Sequence, residues 1–362
     1  MHSLNIFLTI MLLPWSFAVV PLTFEPTLLS LINVQAAPYH LAKRKHQESY
    51  SELQYSHKST KTQLPSYDFI STTMMQFPKL VNFLDGTTNV TVFLPSDQAF
   101  LNLEKQFPSY YNSILEKNST MFKFLQYHVL GYSYDVNLQE ASRTFQTTYS
   151  NEPLMISIDS DHNINVGSGI ERVARVTHTQ YATNGIINFI DDVLVPPRKF
   201  EFVVRSRPDL SSFYKFVLSS PGMLSALNAL KGTTIFAPTN KAFQKLNATE
   251  SNKDIYNHVG VVSSIIDYHI IKPMVSSLIF ATFSAKGNSV ATGLPGENMT
   301  ITFNGSYGVV HGASECNEAE LIQTDIILDG GNMLHLIDTV LLPSVNAMNY
   351  AKKNNYTLRP SF

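Results

Sequence analysis

The amino-acid sequence predicts an α+β fold, built twice in tandem. Two observations carry that expectation. First, three landmarks occur twice in the same order. Thr91 to Phe100 reads TVFLPSDQAF, and Thr234 to Phe243 reads TIFAPTNKAF. Tyr127-His128 answers to Tyr268-His269, and GIINFIDDVLVP (Gly185 to Pro196) answers to NMLHLIDTVLLP (Asn332 to Pro343). The offset of ~140 residues is the size of one globular domain and far too long for a solenoid repeat. Second, each copy places helical stretches between strands, then a hairpin, then a closing strand, which is the α+β order.

The elements follow from residue chemistry. Val90 to Leu94 is a short β-branched and aromatic run, so it reads as a buried strand that Pro95 ends. Ser96 is placed to cap a helix whose Phe100, Leu103 and Phe107 share one face. Ile235-Phe236, Pro238, Thr239, Phe243 and Leu246 repeat the pattern, and Thr keeps the capping hydroxyl. Met121 to Leu130 and Val261 to Ile271 read as second helices, with His128 and His269 beside the core-facing stripe. Met155 to Ile158 alternates, residues 159–162 turn, and Asn163 to Val166 returns. Met299 to Phe303, Asn304-Gly305 and Gly308 to Val310 repeat that hairpin with its strongest turn signal. Ile190 to Val195 and Ile337 to Leu342 are apolar on both faces and read as central closing strands.

Bulk properties narrow the function classes. The chain has 362 residues, is 15% charged and carries a formal net charge of −2, with no basic stripe, so nucleic acid is not an expected partner. One cysteine, Cys316, allows no internal disulfide, and each half relies on its own core. Leu4 to Val20 is almost wholly apolar, and residues 1–37 read as a signal peptide with cut positions at Ala18 or at Val34-Gln35-Ala36. An uncleaved anchor is the alternative, and the only membrane attachment foreseen. Pro14, Pro21 and Pro26 argue against one spanning helix. The lone tryptophan, Trp15, lies in this leader. Residues 38–61 are polar and read as a disordered basic linker, in which Lys43-Arg44 is either a processing site or a solvated tail.

Six Asn-x-Ser/Thr sequons are glycosylation candidates: Asn89, Asn118, Asn247, Asn298, Asn304 and Asn355. Asn89 leads straight into a strand and is the weakest. No Gly-x-Ser-x-Gly elbow, His-Glu-x-x-His helix or phosphate loop occurs, so no catalytic residue is assigned. Asp159, Asp161 and Asn163 mimic the start of a calcium loop, but Ile164 and Ile170 stand where glycine and glutamate are needed, so neither metal nor cofactor is expected. His128 and His269 read first as hydrogen-bonded core residues and second as partner contacts. Asp191 and Asp338 fall in apolar strands and require backbone N–H groups or a partner charge.

Those boxes resemble the fasciclin-like domain family over residues 62–197 and 198–344, leaving a C-terminal tail at 345–362. The family's first box is similar to TVFLPSDQAF and TIFAPTNKAF, and its Tyr-His pair is intact in both copies. Its closing box keeps Asn184-Gly185, Ile187 and Asp191 in the first copy, with Asn188 in place of histidine. The second copy keeps His335 and Asp338, with Asn332 in place of glycine. The resemblance implies two wedge-shaped β-sandwiches of about seven strands, each with a helical cap. It also implies adhesion through a protein or glycan partner near Tyr127, His128, Tyr268 and His269, and no shared catalytic apparatus. Asn252-Lys253-Asp254-Ile255 resembles a short adhesive motif of the family, out of its usual place. The whole chain is similar to small fungal members assigned to the vacuole, with the cell surface as second address. A luminal ligand carrier or enzyme is the alternative.

Overall fold

The structure is a computed structural model, and it describes residues 26–35, 65–136, 143–150, 152–248, 255–280, 282–283, 287–303, 308–314 and 317–357. The first half opens with helices α1 (Leu28–Gln35), α2 (Asp68–Met75) and α3 (Pro78–Gly86). Strand β1 (Val90–Pro95) leads to α4 (Asp97–Gln106), α5 (Pro108–Glu116), α6 (Asn118–Tyr127) and a two-residue strand β2 (Val129–Leu130). Then come β3 (Arg143–Gln146), β4 (Pro153–Ile158), β5 (Ile164–Gly167), β6 (Val173–Ala182) and β7 (Gly185–Ile190).

The second half repeats the plan. It has α7 (Phe200–Ser206), α8 (Ser211–Leu218), α9 (Met223–Ala229), β8 (Thr234–Pro238), α10 (Asn240–Asn247), α11 (Val259–Tyr268) and β9 (Ile270–Ile271). It continues through α12 (Ser277–Phe280), β10 (Asn288–Ala291), β11 (Asn298–Phe303), β12 (Gly308–His311), β13 (Glu318–Leu328), β14 (Asn332–Ile337) and α13 (Val345–Asn354).

Among the described residues each half holds seven strands, ordered β2-β1-β7-β6-β5-β4-β3 and β10-β11-β12-β13-β14-β8-β9. β1 runs parallel to β7, with Val90 opposite Gly185 and Pro95 opposite Ile190, and β8 runs parallel to β14. The long strands β6 and β13 bend the sheet. Residues 173–175 pair with β5, whereas 176–182 pair with β7 across a register shift at Val176/His178. β13 does the same between β12 and β14, with shifts at Leu321/Gln323 and Gln323/Ile326. Bulges kink a strand and raise its twist, so one strand can serve two layers.

β1 is buried on both faces because the layers differ. Val90, Val92 and Leu94 point to the helices with Ile70, Leu84, Phe100 and Phe124, while Phe93 points to the hairpin side with Tyr127, Leu154 and Val166. That is the period of two expected of a strand. The caps form as the sequence predicts: Ser96 Oγ accepts from Ala99 N at 3.3 Å, and Thr239 Oγ1 accepts from Ala242 N at 3.4 Å.

Four expectations shift. The second helices stop at Tyr127 and Tyr268, because the carbonyls of His128 and His269 accept the N–H groups of Phe93 and Phe236 and draw Val129–Leu130 and Ile270–Ile271 into the sheet. The closing strands end at Ile190 and Ile337 rather than starting there. Asp191 and Asp338 take the N–H groups of Arg175 and Glu320 and terminate the ladder, and the residues that follow stay buried without it. Residues 28–35, assigned to the leader by sequence, form a helix in the first core. Residues 345–354, assigned to a tail, form α13, which Ser344 caps and which packs on α11. The whole basic linker, Cys316, Asn304-Gly305 and Asn252-Lys253-Asp254 lie outside the described residues.

Candidate functional site

The two Tyr-His pairs occupy the same place in the two halves. Tyr127 donates from its hydroxyl to Pro153 O at 2.6 Å, and Tyr268 donates to Asn298 O at 2.9 Å. Each ties its helix to the first strand of the hairpin. His128 Nδ1 donates to Phe124 O at 2.8 Å, and its Nε2 accepts from Leu194 N at 3.1 Å. His269 donates to Ile265 O at 2.7 Å and accepts from Leu341 N at 3.0 Å. A carbonyl only accepts and an amide N–H only donates, so the partners fix one neutral tautomer in each ring. Burial lowers both rings from 6.5 to about 4, against a smaller upward pull from the helix carbonyl.

These four side chains are at most 1% exposed. They therefore offer no surface to a partner, and the expectation that they touch one directly is corrected. Their bonds hold the helix to the segment after the closing strand. The first residue of each repeated box has a similar task. Thr91 Oγ1 donates to Tyr132 O and accepts from Tyr134 N, and Thr234 Oγ1 donates to Pro273 O and accepts from Val275 N.

The closing boxes diverge in chemistry but not in place. His335 Nε2 donates to Val275 O at 2.8 Å, and its Nδ1 accepts from Asp325 N at 3.2 Å. In the first half Asn188 stands there. Its Oδ1 accepts from Thr179 Oγ1 at 2.9 Å, while its buried Nδ2 has no partner. The two aspartates are less buried than their apolar surroundings in the sequence suggest: Asp191 is exposed and Asp338 half-buried, each just past its strand. Asp191 pairs with Arg175 at 3.5 Å, and Asp338 with Lys245 at 2.5 Å, beyond their backbone partners. Asp159 makes an ordinary polar turn, its Oδ1 accepting from Asp161 N and Asn163 N.

A second set of polar contacts lies where the halves meet. Arg207 bonds Glu171, Asp209 and Gln323, and Gln323 Nε2 donates to Glu171 Oε2 at 2.7 Å. Glu152 of the first half accepts from Gly330 N of the second, at 3.0 Å and 3.1 Å to its two oxygens. Burial and then the adjacent Asp329 side chain raise the Glu152 carboxyl from 4.5 to about 7, against a smaller pull from that N–H. Around it opens a cleft of ≈ 930 Å³ lined by Tyr132, Tyr149, Lys231 and Met274 among others. A neighbouring cleft of ≈ 750 Å³ carries Arg198, Lys199, Phe202 and Arg205. Sequence reasoning missed these residues. Glu152 and Asp329 lie far apart in the chain, and only the approach of the halves brings them together.

Five sequon asparagines, Asn89, Asn118, Asn247, Asn298 and Asn355, are exposed, including the one ranked weakest. Among the described residues no three His, Cys, Asp or Glu side chains gather as a metal site, and no helix is long and apolar enough to cross a membrane.

A family model described as the fasciclin domain matches residues 69–196 and 208–343. Human periostin is 28% identical over 267 residues, covering 73% of this chain and 30% of periostin. A fasciclin-like arabinogalactan protein of Arthroderma benhamiae is 21% identical over 299 residues, covering 78% of this chain and 65% of that protein. The chain thus spans about a third of the length of the first curated relatives it matches. Among solved structures, a FAS1 domain pair from the insect cell adhesion molecule fasciclin I covers 77% of this chain and 97% of its own, at 20% identity and a TM-score of 0.38.

Proposed function

The chain belongs to the fasciclin domain family, matched once in each half, and from that premise we propose that it is a non-enzymatic interaction module that works by surface contact with a protein or a glycan. The observation that carries this reading is the fate of the histidines. Both ring nitrogens of His128 and of His269 are bound to backbone, in the same way in both copies. These two rings are thereby committed to holding the fold and are closed to proton transfer with a bound molecule. What remains for a partner is the exterior of two domains.

The apolar leader supports a secretory route, with the vacuole lumen as first address and the cell surface as second. The exposed Asn89, Asn118, Asn247, Asn298 and Asn355 support a glycoprotein. Enzymatic deglycosylation should shift its mass at these positions. Beads coated with the purified chain should be retained on cell-wall glycan or matrix protein and released by excess soluble chain.

A second reading, a luminal small-ligand carrier, is favoured by the cleft between the halves, where tyrosines stand beside Glu152 and Lys231. Absence of retention, together with a metabolite that raises the melting temperature, would select it.

A further inference from the structure

Residues 26–35 are built into the first domain. Leu28 and Ile32 are fully buried and Leu31 is 8% exposed, in one cluster with Ile70, Leu80, Leu84 and Ile187. The three fall at i, i+3 and i+4, one helix face. The backbone is tied as firmly. Leu28 N donates to Asn184 Oδ1 at 2.8 Å, and Thr183 N donates to Pro26 O at 3.0 Å. Asn184 in turn donates from Nδ2 to Leu84 O at 2.7 Å, so one side chain joins α1, α3 and the start of β7. Gly185 fits the same contact: a Cβ there would stand 2.7 Å from Leu28 Cδ1 and 2.1 Å from Val90 O.

The second domain supplies the comparison. Its first helix, α7, buries Phe200, Val203 and Val204, again at i, i+3 and i+4. It packs on α8 and α9 as α1 packs on α2 and α3. Asp329 N donates to Arg198 O at 3.0 Å, two residues before α7, as Thr183 N donates to Pro26 O two residues before α1. Helix α1 is therefore the counterpart of α7. The basic stretch lies between the first and second helices of the domain, not in front of it.

We infer that helix Leu28–Gln35 is a permanent element of the first domain, so that removal of the leader stops short of Pro26. Of the two cut positions the sequence offers, Ala36 would excise the helix and uncover Ile70, Leu80 and Leu84, whereas Ala18 spares it. The placement of the cut rests on the secretory reading; the retention of the helix does not.

The test has two arms. The full chain is produced in a eukaryotic secretory host and its N-terminus is sequenced. A terminus between residues 19 and 26 supports the inference. A folded product starting at Ala37 overturns it. A product starting at Met1 keeps the helix but overturns the placement of the cut, since the leader then stays on as an uncleaved anchor. In the second arm, thermal unfolding compares chains starting at Pro26 and at Ala37, with the second domain as internal reference. The shorter chain should lose its first-domain transition, or show it lower by roughly 10 °C or more. Ile32→Ala in the longer chain should lower the same transition by roughly 5–10 °C and leave the other unmoved. Equal midpoints in the chains starting at Pro26 and Ala37 would overturn the inference.

Discussion

At the scale of single residues, the polar groups inside each domain set how stability follows pH. His128 and His269 sit at about 4 in the folded chain against 6.5 unfolded. A base whose folded value is depressed stabilises fully above its unfolded value and loses that contribution as pH falls towards the folded one. Each ring should thus withdraw about 3 kcal/mol between roughly pH 6.5 and 4. Asp267 acts in the opposite sense. Burial raises its carboxyl from 3.8 to about 7, against the hydrogen bond from Tyr356, and its Oδ1 is left without a partner. A raised acid gives its full contribution at low pH and loses it as pH climbs to the folded value. Asp267→Asn should stabilise the second domain at pH 8 and change little at pH 4, as read by urea denaturation. The histidines' position beside the core was legible in their helical spacing. The bonding of both ring nitrogens was not, because Leu194 and Leu341 lie far along the chain and only the closed sheet brings their N–H groups near.

At the scale of elements, local chemistry predicted starts better than ends. Ser96 and Thr239 announced two helices through their hydroxyls, and replacing either with alanine should cost about 1 kcal/mol. Helix ends escaped, since Val129–Leu130 and Ile270–Ile271 are drawn out by a strand and not broken by a residue of their own. The closing strands were misplaced because their apolar run continues past Asp191 and Asp338, and hydrophobicity alone does not reveal where a ladder stops. Helix α13 was missed because most of its surface is polar, with Ala351 as its one buried residue. Its seat is specific all the same. A Cβ on Gly260 would stand 2.3 Å from Ala351 O and 2.8 Å from Tyr356 N. Gly260→Ala should therefore lift α13 from α11 and speed amide exchange through residues 345–356, with the first domain unaffected.

For the whole molecule, the duplication was plain from sequence and the junction between the copies was not. Glu152 meets Asp329 and Gly330 across that junction, and its carboxyl sits at about 7. Near pH 5 the proton it holds lets the two carboxyls share the space. As pH rises through 7 Glu152 ionises beside the Asp329 side chain, which disfavours the close approach, and the bond from Gly330 N remains to oppose it. Small-angle scattering should show the two domains moving apart between pH 5 and pH 8. Glu152→Gln should hold them in the low-pH arrangement throughout.

The paired histidines hold the fold while the exterior meets the partner, and this division of labour has a direct test. Retention on the partner surface and the two unfolding transitions are measured together for His128→Ala and His269→Ala, below both midpoints. The expected result is a lower transition in the altered domain with retention unchanged. Lost retention in a variant whose transitions stay in place would contradict it.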